Sequence, residues 1–170
     1  SEYHDTMCDH DDAVGALLDL LDELGLTDDT IVLYSTDNGP HLNTWPDAGM
    51  TPFRGTKLVA GYFGGTRVPM AVSWPKGIKA DTRVRSQFHH VNDIAPTIYD
   101  VIGIVPPESV NGFKQDPLDG VSLAYTFSDA RGATRKLEQY FEIFGSRGIY
   151  ADGWMASVFG PRLPWVLPNP

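Results

Sequence analysis

The stretch GLTDDTIVLYSTDNG, Gly25 to Gly39, constrains the fold more than any other part of the chain. It joins a helix stop, a tight turn and a short apolar strand that ends in Asp37-Asn38-Gly39. Upstream, Val14, Leu17, Leu18, Leu21 and Leu24 fall at the three-and-four spacing of a helix with one apolar stripe, from about Asp9 to Leu24. Asp11, Asp12, Asp19, Asp22 and Glu23 occupy much of the remainder. Gly25 suits a left-handed stop, with Leu26 placed for the apolar contact that follows such a cap. Ile31 to Thr36 is β-branched and aromatic, and its apolar residues on both faces predict a strand buried inside a sheet. A helix, a short link and a buried strand form an αβ unit. Such units build open, mostly parallel sheets, in which ligands gather beyond the carboxyl ends of the strands.

That rule gives Asp37 and Asn38 their interest, because they stand immediately after the strand and Gly39 lets the backbone turn sharply there. A carboxylate and an amide carbonyl are hard oxygen donors, which suit calcium or magnesium better than zinc. An isolated Asp-Asn-Gly is also ordinary turn chemistry.

From Pro40 to Gly65 the chain is rich in Gly, Pro and aromatic residues with little periodicity, the mark of a long ordered loop region. Lys57 lies in it, and a lysine near a divalent ion balances charge on an anionic substrate. A solvated loop lysine is the commoner state of that residue. Arg54 and Arg67 fit structural pairing with acids such as Asp47. VPMAVSWP, Val68 to Pro75, predicts a second strand. NDIAPTIYDVIG predicts a helix with Asp93 as N-cap, Pro96 in the first turn and Gly103 as the stop. Ile104 to Arg135 reads as a loop-rich crossing. QYFEIFG and GIYADGWMASVF are strand-like, the second with an Asp152-Gly153 hairpin turn, so a small antiparallel sheet is expected from about Leu137.

The histidines are weaker signals. His89 and His90 are adjacent, and neighbours in a strand point to opposite faces, so a structural role before the helix cap is expected of them. His41, beside the suspected site, is a candidate substrate contact. His4 and His10 read as surface residues. Acids around Cys8 make that thiol a poor nucleophile.

Composition excludes several classes. A formal charge of -9, with the 13 Lys and Arg nowhere clustered, disfavours nucleic acid as partner. No apolar run is long enough to span a membrane. A single cysteine excludes an internal disulfide framework, and Ser1 does not open a secretory leader pattern.

Taken in order, HDDAVGALLDLLDELGLTDDTIVLYSTDNGPHLNTWPD, TPFRGTK, GGTRVPMAVSWPKGI, HHVNDIAPTIYD and the terminal YFEIFGSRGIYADGWMA resemble the formylglycine-dependent sulfatases, particularly bacterial arylsulfatase-like enzymes. The resemblance implies an alkaline-phosphatase-like α/β sheet flanked by helices, with a small C-terminal antiparallel sheet. It implies that Asp37 and Asn38 complete the coordination of one calcium ion, calcium ahead of magnesium, and that Lys57 contacts the substrate sulfate. Two-metal phosphatases and phosphodiesterases of the same superfamily commonly carry Asp-His where this chain has Asp37-Asn38, so the asparagine favours a single hard cation.

Two departures accompany the resemblance. Phe63 stands before Gly64-Gly65 where the family usually has an acid, and the interval from Lys57 is longer by one residue. The family nucleophile lies in a Cys/Ser-x-Pro-x-Arg signature, and neither Cys8 nor any serine here stands in that context. The chain is therefore expected to be the C-terminal part of a longer sulfatase. Residues 1–136 would end its catalytic α/β domain and residues 137–170 would begin a small antiparallel subdomain, with the formylglycine in the missing N-terminal half. The expected substrate is a sulfate-ester small molecule or sulfated glycan; the sequence leaves the compartment open between periplasm and cytoplasm, and family analogy favours the periplasm slightly. A phosphonate or phosphate monoester hydrolase, or a non-catalytic sulfatase-like binding module, are the alternatives.

Overall fold

The computed structural model describes residues 2–41, 52–79 and 83–158. The chain divides into two compact units, one of residues 1–78, 141–148 and 156–170, the other of 79–140 and 149–155.

The first unit opens with helix α1, Glu2–Glu23, which starts seven residues before the expected Asp9. It ends as expected, with Gly25 at φ +66°, the Gly25 N–H donating to Asp22 O at 3.0 Å and the Leu26 N–H to Leu21 O at 2.9 Å. This pair of bonds is a Schellman cap, satisfying carbonyls the helix leaves open. None of the residues of α1 is buried, and Leu17 is 64% exposed.

A short 3-10 turn, Thr27–Asp29, leads into β1, Val32–Ser35. This strand pairs with β2, Met70–Ser73, in a two-stranded sheet with Val32 opposite Ser73 and Ser35 opposite Met70. The pairing is antiparallel, so these two strands are not themselves a parallel pair of the mostly parallel sheet that the αβ unit suggested. The connecting segment does not cross back to the start of β1. Instead it returns beside the end of β1, where the Ser35 hydroxyl donates to Pro69 O at 2.8 Å. The expectation that β1 is buried is corrected too, because Leu33 and Tyr34 are both exposed. Among the described residues, no second layer covers these two side chains fully.

Among the described residues of 1–78, burial gathers around Gly39, Thr56, Val59, Ala60, Gly61 and Gly64. The core thus lies in the loop region between the strands, most of it glycine and short side chains. A one-turn helix α2, Phe63–Thr66, closes the region. Arg67 lies over the Phe53 ring at 4.8 Å and Arg54 over the Tyr62 ring at 5.2 Å. The two arginines therefore meet aromatic faces; the suggested partner Asp47 lies outside the described residues.

The second unit is organised around helix α3, Ile94–Ile102, which Gly103 ends at φ +70° with the same pair of bonds, Gly103 N–H to Asp100 O and Ile104 N–H to Tyr99 O. The segment expected as a plain loop-rich crossing holds a small hairpin, β3 Ser109–Val110 and β4 Phe113–Lys114, and a helical turn α4, Tyr125–Ser128. Three further strands, drawn from residues of both units, β5 Glu138–Ile143, β6 Ser146–Ala151 and β7 Trp154–Val158, form a sheet in chain order. Two-residue links join them, which only antiparallel neighbours allow. Asn111-Gly112, Phe144-Gly145 and Asp152-Gly153 all have positive φ at both residues, the turn type that matches strand twist. The C-terminal antiparallel sheet thus begins one residue after the expected Leu137.

Candidate functional site

The site is built at the end of β1. The Thr36 hydroxyl donates to Asn38 O at 3.3 Å, and the Asn38 side-chain amide donates to Gly39 O at 3.0 Å, so local bonds bend the backbone immediately after the strand. With its nitrogen engaged, the Asn38 amide is oriented and its oxygen is left as the acceptor. The Asp37 carboxylate is exposed, and no described residue donates a hydrogen bond to it. Two hard oxygens on consecutive residues at a bend fit a hard dication. Among the described residues no three His, Cys, Asp or Glu side chains gather as a metal-binding group, so Asp37 and Asn38 fit a portion of a shell rather than a whole one.

Lys57 is brought to the same place through the backbone, its N–H donating to Pro40 O at 3.1 Å. The lysine expected to meet the substrate is thus tied to the residue that follows Asp37-Asn38-Gly39, although 19 positions separate Asn38 from Lys57 in sequence. His41 comes next after Pro40 and is exposed. All four expected site residues, Asp37, Asn38, His41 and Lys57, therefore lie on or against one bend. Phe63, at the position where an acid was expected, packs edge-to-face on Phe53 with ring centroids 6.1 Å apart.

A second concentration of charge lies in the other unit and was not legible as such in the sequence. Asp93 is fully buried. Its Oδ1 accepts from Lys136 Nζ at 2.9 Å and from the Val121 N–H at 2.8 Å; its Oδ2 accepts from the His90 N–H at 2.8 Å and from His89 Nδ1 at 3.3 Å. Burial alone pushes the Asp93 carboxyl up, but the bonds from His89, Val121, His90 and Lys136 outweigh it and hold the group well below the usual carboxylate range. The expected N-cap role is corrected accordingly: Asp93 makes no side-chain cap bond to α3. It instead completes a reciprocal capping box with His90 around the 3-10 turn Val91–Asp93. His89 reaches Tyr125 OH through Nε2 at 3.3 Å. Both histidines are therefore structural, as their position before the helix suggested. The polar run continues inward, with the Thr97 hydroxyl donating to Asp93 O at 2.7 Å and accepting from the Leu123 N–H at 2.9 Å.

His10 and Cys8 are exposed on α1, with His10 Nε2 at 2.9 Å from Tyr34 OH. No helix among the described residues is long and apolar enough to cross a membrane.

Comparison with known proteins bears on this site. The family model named Sulfatase matches residues 1–104, which include β1, the Asp37-Asn38 bend and Lys57. Human N-acetylgalactosamine-6-sulfatase is 30% identical over 140 residues, covering 81% of this chain and 25% of that protein. Human arylsulfatase A is 29% identical over 117 residues, covering 68% of this chain and 23% of that protein. Human steryl-sulfatase is 32% identical over 111 residues, covering 62% of this chain and 19% of that protein. The chain spans about a quarter of the length of the curated relatives it matches. With a family match over more than half its residues and the strand, bend and lysine in one place, the chain belongs to the sulfatase family.

Proposed function

We propose that this chain is the C-terminal portion of a metal-dependent sulfuric ester hydrolase of the arylsulfatase type, built on an alkaline-phosphatase-like α/β sheet. In this reading the catalytic domain runs through residue 136 and a small antiparallel subdomain begins at 137. The observation that carries it is the hydrogen bond from Lys57 N–H to Pro40 O, which sets an ammonium-bearing residue beside the Asp37-Asn38 bend.

Asp37 and Asn38 would hold a hard dication, calcium ahead of magnesium, through oxygen ligands completed by polypeptide beyond these residues. When bound, such an ion supplies electrostatic stabilisation of charge on sulfate oxygens. Lys57 contributes a fixed positive charge toward those same oxygens, an effect that grows as charge develops during attack. His41 stands where a side chain meets the remainder of the substrate. The nucleophile, a formylglycine, lies in the N-terminal portion, so the isolated 170 residues are expected to be inactive. Loss of whole members of a catalytic unit commonly costs several orders of magnitude.

Exposed apolar residues support the same reading. Leu17, Leu18 and Leu20 on α1 and Leu33 and Tyr34 on β1 remain uncovered, although the helix and strand have the patterns of buried elements.

The test compares the full-length enzyme on 4-nitrophenyl sulfate and 4-nitrophenyl phosphate. A kcat/KM at least tenfold higher on the sulfate supports the proposal. Preference for the phosphate supports a phosphomonoesterase, and turnover of neither supports a binding module. Hydrolysis of the sulfate by the isolated 170 residues would refute the assignment of the nucleophile to the other portion.

A further inference from the structure

Three glycines around the bend are packed so closely that none has room for a side chain. A Cβ on Gly39 would overlap the Gly64 carbonyl oxygen and stand 2.9 Å from Gly64 C and 3.0 Å from Gly65 Cα. One on Gly64 would meet Arg54 O at 2.5 Å and overlap Gly55 O. One on Gly65 would meet Thr56 O at 2.6 Å and overlap Val59 O. Backbone lies directly on backbone in two successive layers, first 39 on 64–65, then 64–65 on 54–59.

Hydrogen bonds fasten the same layers. The Gly64 N–H donates to Arg54 O at 2.7 Å, and Lys57 N–H donates to Pro40 O at 3.1 Å. The segment carrying Lys57 is thus held on one side by Gly64-Gly65 and on the other by the residue after Gly39. Every contact in this path is between main-chain atoms, which have no rotamers through which to relieve a displacement.

We propose that Gly39, seated on Gly64-Gly65, is a positioning residue for the reaction: it sets the separation between the Asp37-Asn38 oxygens and Lys57. This rests on the roles proposed for Asp37, Asn38 and Lys57. A methyl at Gly39 must push the two backbones apart, and the Lys57 segment, fastened to Gly64 through Arg54 O and to Pro40 through its own N–H, cannot keep its place against both. A misplacement of about 1 Å between catalytic groups costs on the order of 10²-fold in rate.

The experiment is a double-variant cycle in the full-length enzyme, read as kcat/KM for 4-nitrophenyl sulfate. Gly39→Ala and Lys57→Met are each expected to lower it by roughly 10- to 100-fold. If Gly39 acts by placing Lys57, the combined variant falls no more than about threefold below Lys57→Met alone, because the group to be placed is already gone. Losses that multiply would overturn the positioning role while leaving Lys57 in the site, as would an unaltered rate in Gly39→Ala. Unaltered activity in Lys57→Met would overturn the reading of the site itself, and the positioning role with it. Gly65→Ala, which loads the same stack from its other side, runs the same cycle if Gly39→Ala gives no folded enzyme. Failure of both to fold would also overturn the proposal, because the contact then serves the whole fold rather than the placement of one lysine.

Discussion

Replacing Lys136 by methionine isolates the buried ion pair that Lys136 makes with Asp93. Lys136 is 3% exposed and Asp93 is 0% exposed, so the variant leaves a carboxylate without its ammonium partner and away from water. Three donors would remain to it: the His90 and Val121 N–H groups and the His89 ring. Breaking one side of a buried pair costs about 3–5 kcal/mol, and the remaining neutral donors offset only some of the lost charge. The assay that reads this locally is hydrogen exchange at the Val121 and His90 amides, both bonded to the Asp93 carboxylate. With about tenfold in protection for every 1.4 kcal/mol, the expected loss is roughly two to three and a half decades. Lys136→Met combined with Asp93→Asn removes the stranded charge and is expected to recover at least tenfold of that protection. Protection within threefold of the parent in Lys136→Met would show that Lys136 does not hold the carboxylate and would refute the reasoning.

The same carboxylate gives a pH dependence of determined sign. Its folded-state pKa is depressed, so its stabilisation is complete above the ordinary aspartate value of about 3.9 and is lost as pH falls below it. Protection at Val121 should therefore decline in acid, and Asp93→Asn should flatten that decline. Gly15→Ala places a methyl in open space on α1 and should leave activity unchanged while stabilising the helix by about 1 kcal/mol, read from a thermal melt. Gly103→Ala also meets nothing, but its φ of +70° strains an L side chain; a loss of about 1 kcal/mol is expected from the same melt.

Elements governed by local chemistry are legible in the sequence. Gly25 and Gly103 ended helices through the left-handed cap that each sequence signalled, and Asp152-Gly153 made its hairpin. Asn111-Gly112 carried an equally readable hairpin signal within a segment read only as a crossing. Strand direction was not legible, because whether β2 runs with or against β1 depends on where the intervening loop returns. The covering of β1 was not legible either, because its apolar residues record a burial that the described residues do not provide. At the site, Asp37 and Asn38 stood out by their place after a strand, whereas the role of Gly39 depended on Gly64 and Gly65, distant in sequence and brought close only by folding. Asp93 was readable as a helix-start residue. Its partnership with Lys136 was not, since 43 positions separate the two and nothing local links them.

Calcium content tests the central claim most directly. The full-length enzyme, dialysed against metal-free buffer, titrated with calcium and measured by atomic emission, should bind one ion per chain, and Asp37→Ala should bind that ion at least tenfold more weakly. Undiminished calcium binding by a folded Asp37→Ala enzyme would contradict the claim that the bend after β1 supplies ligands to the metal shell.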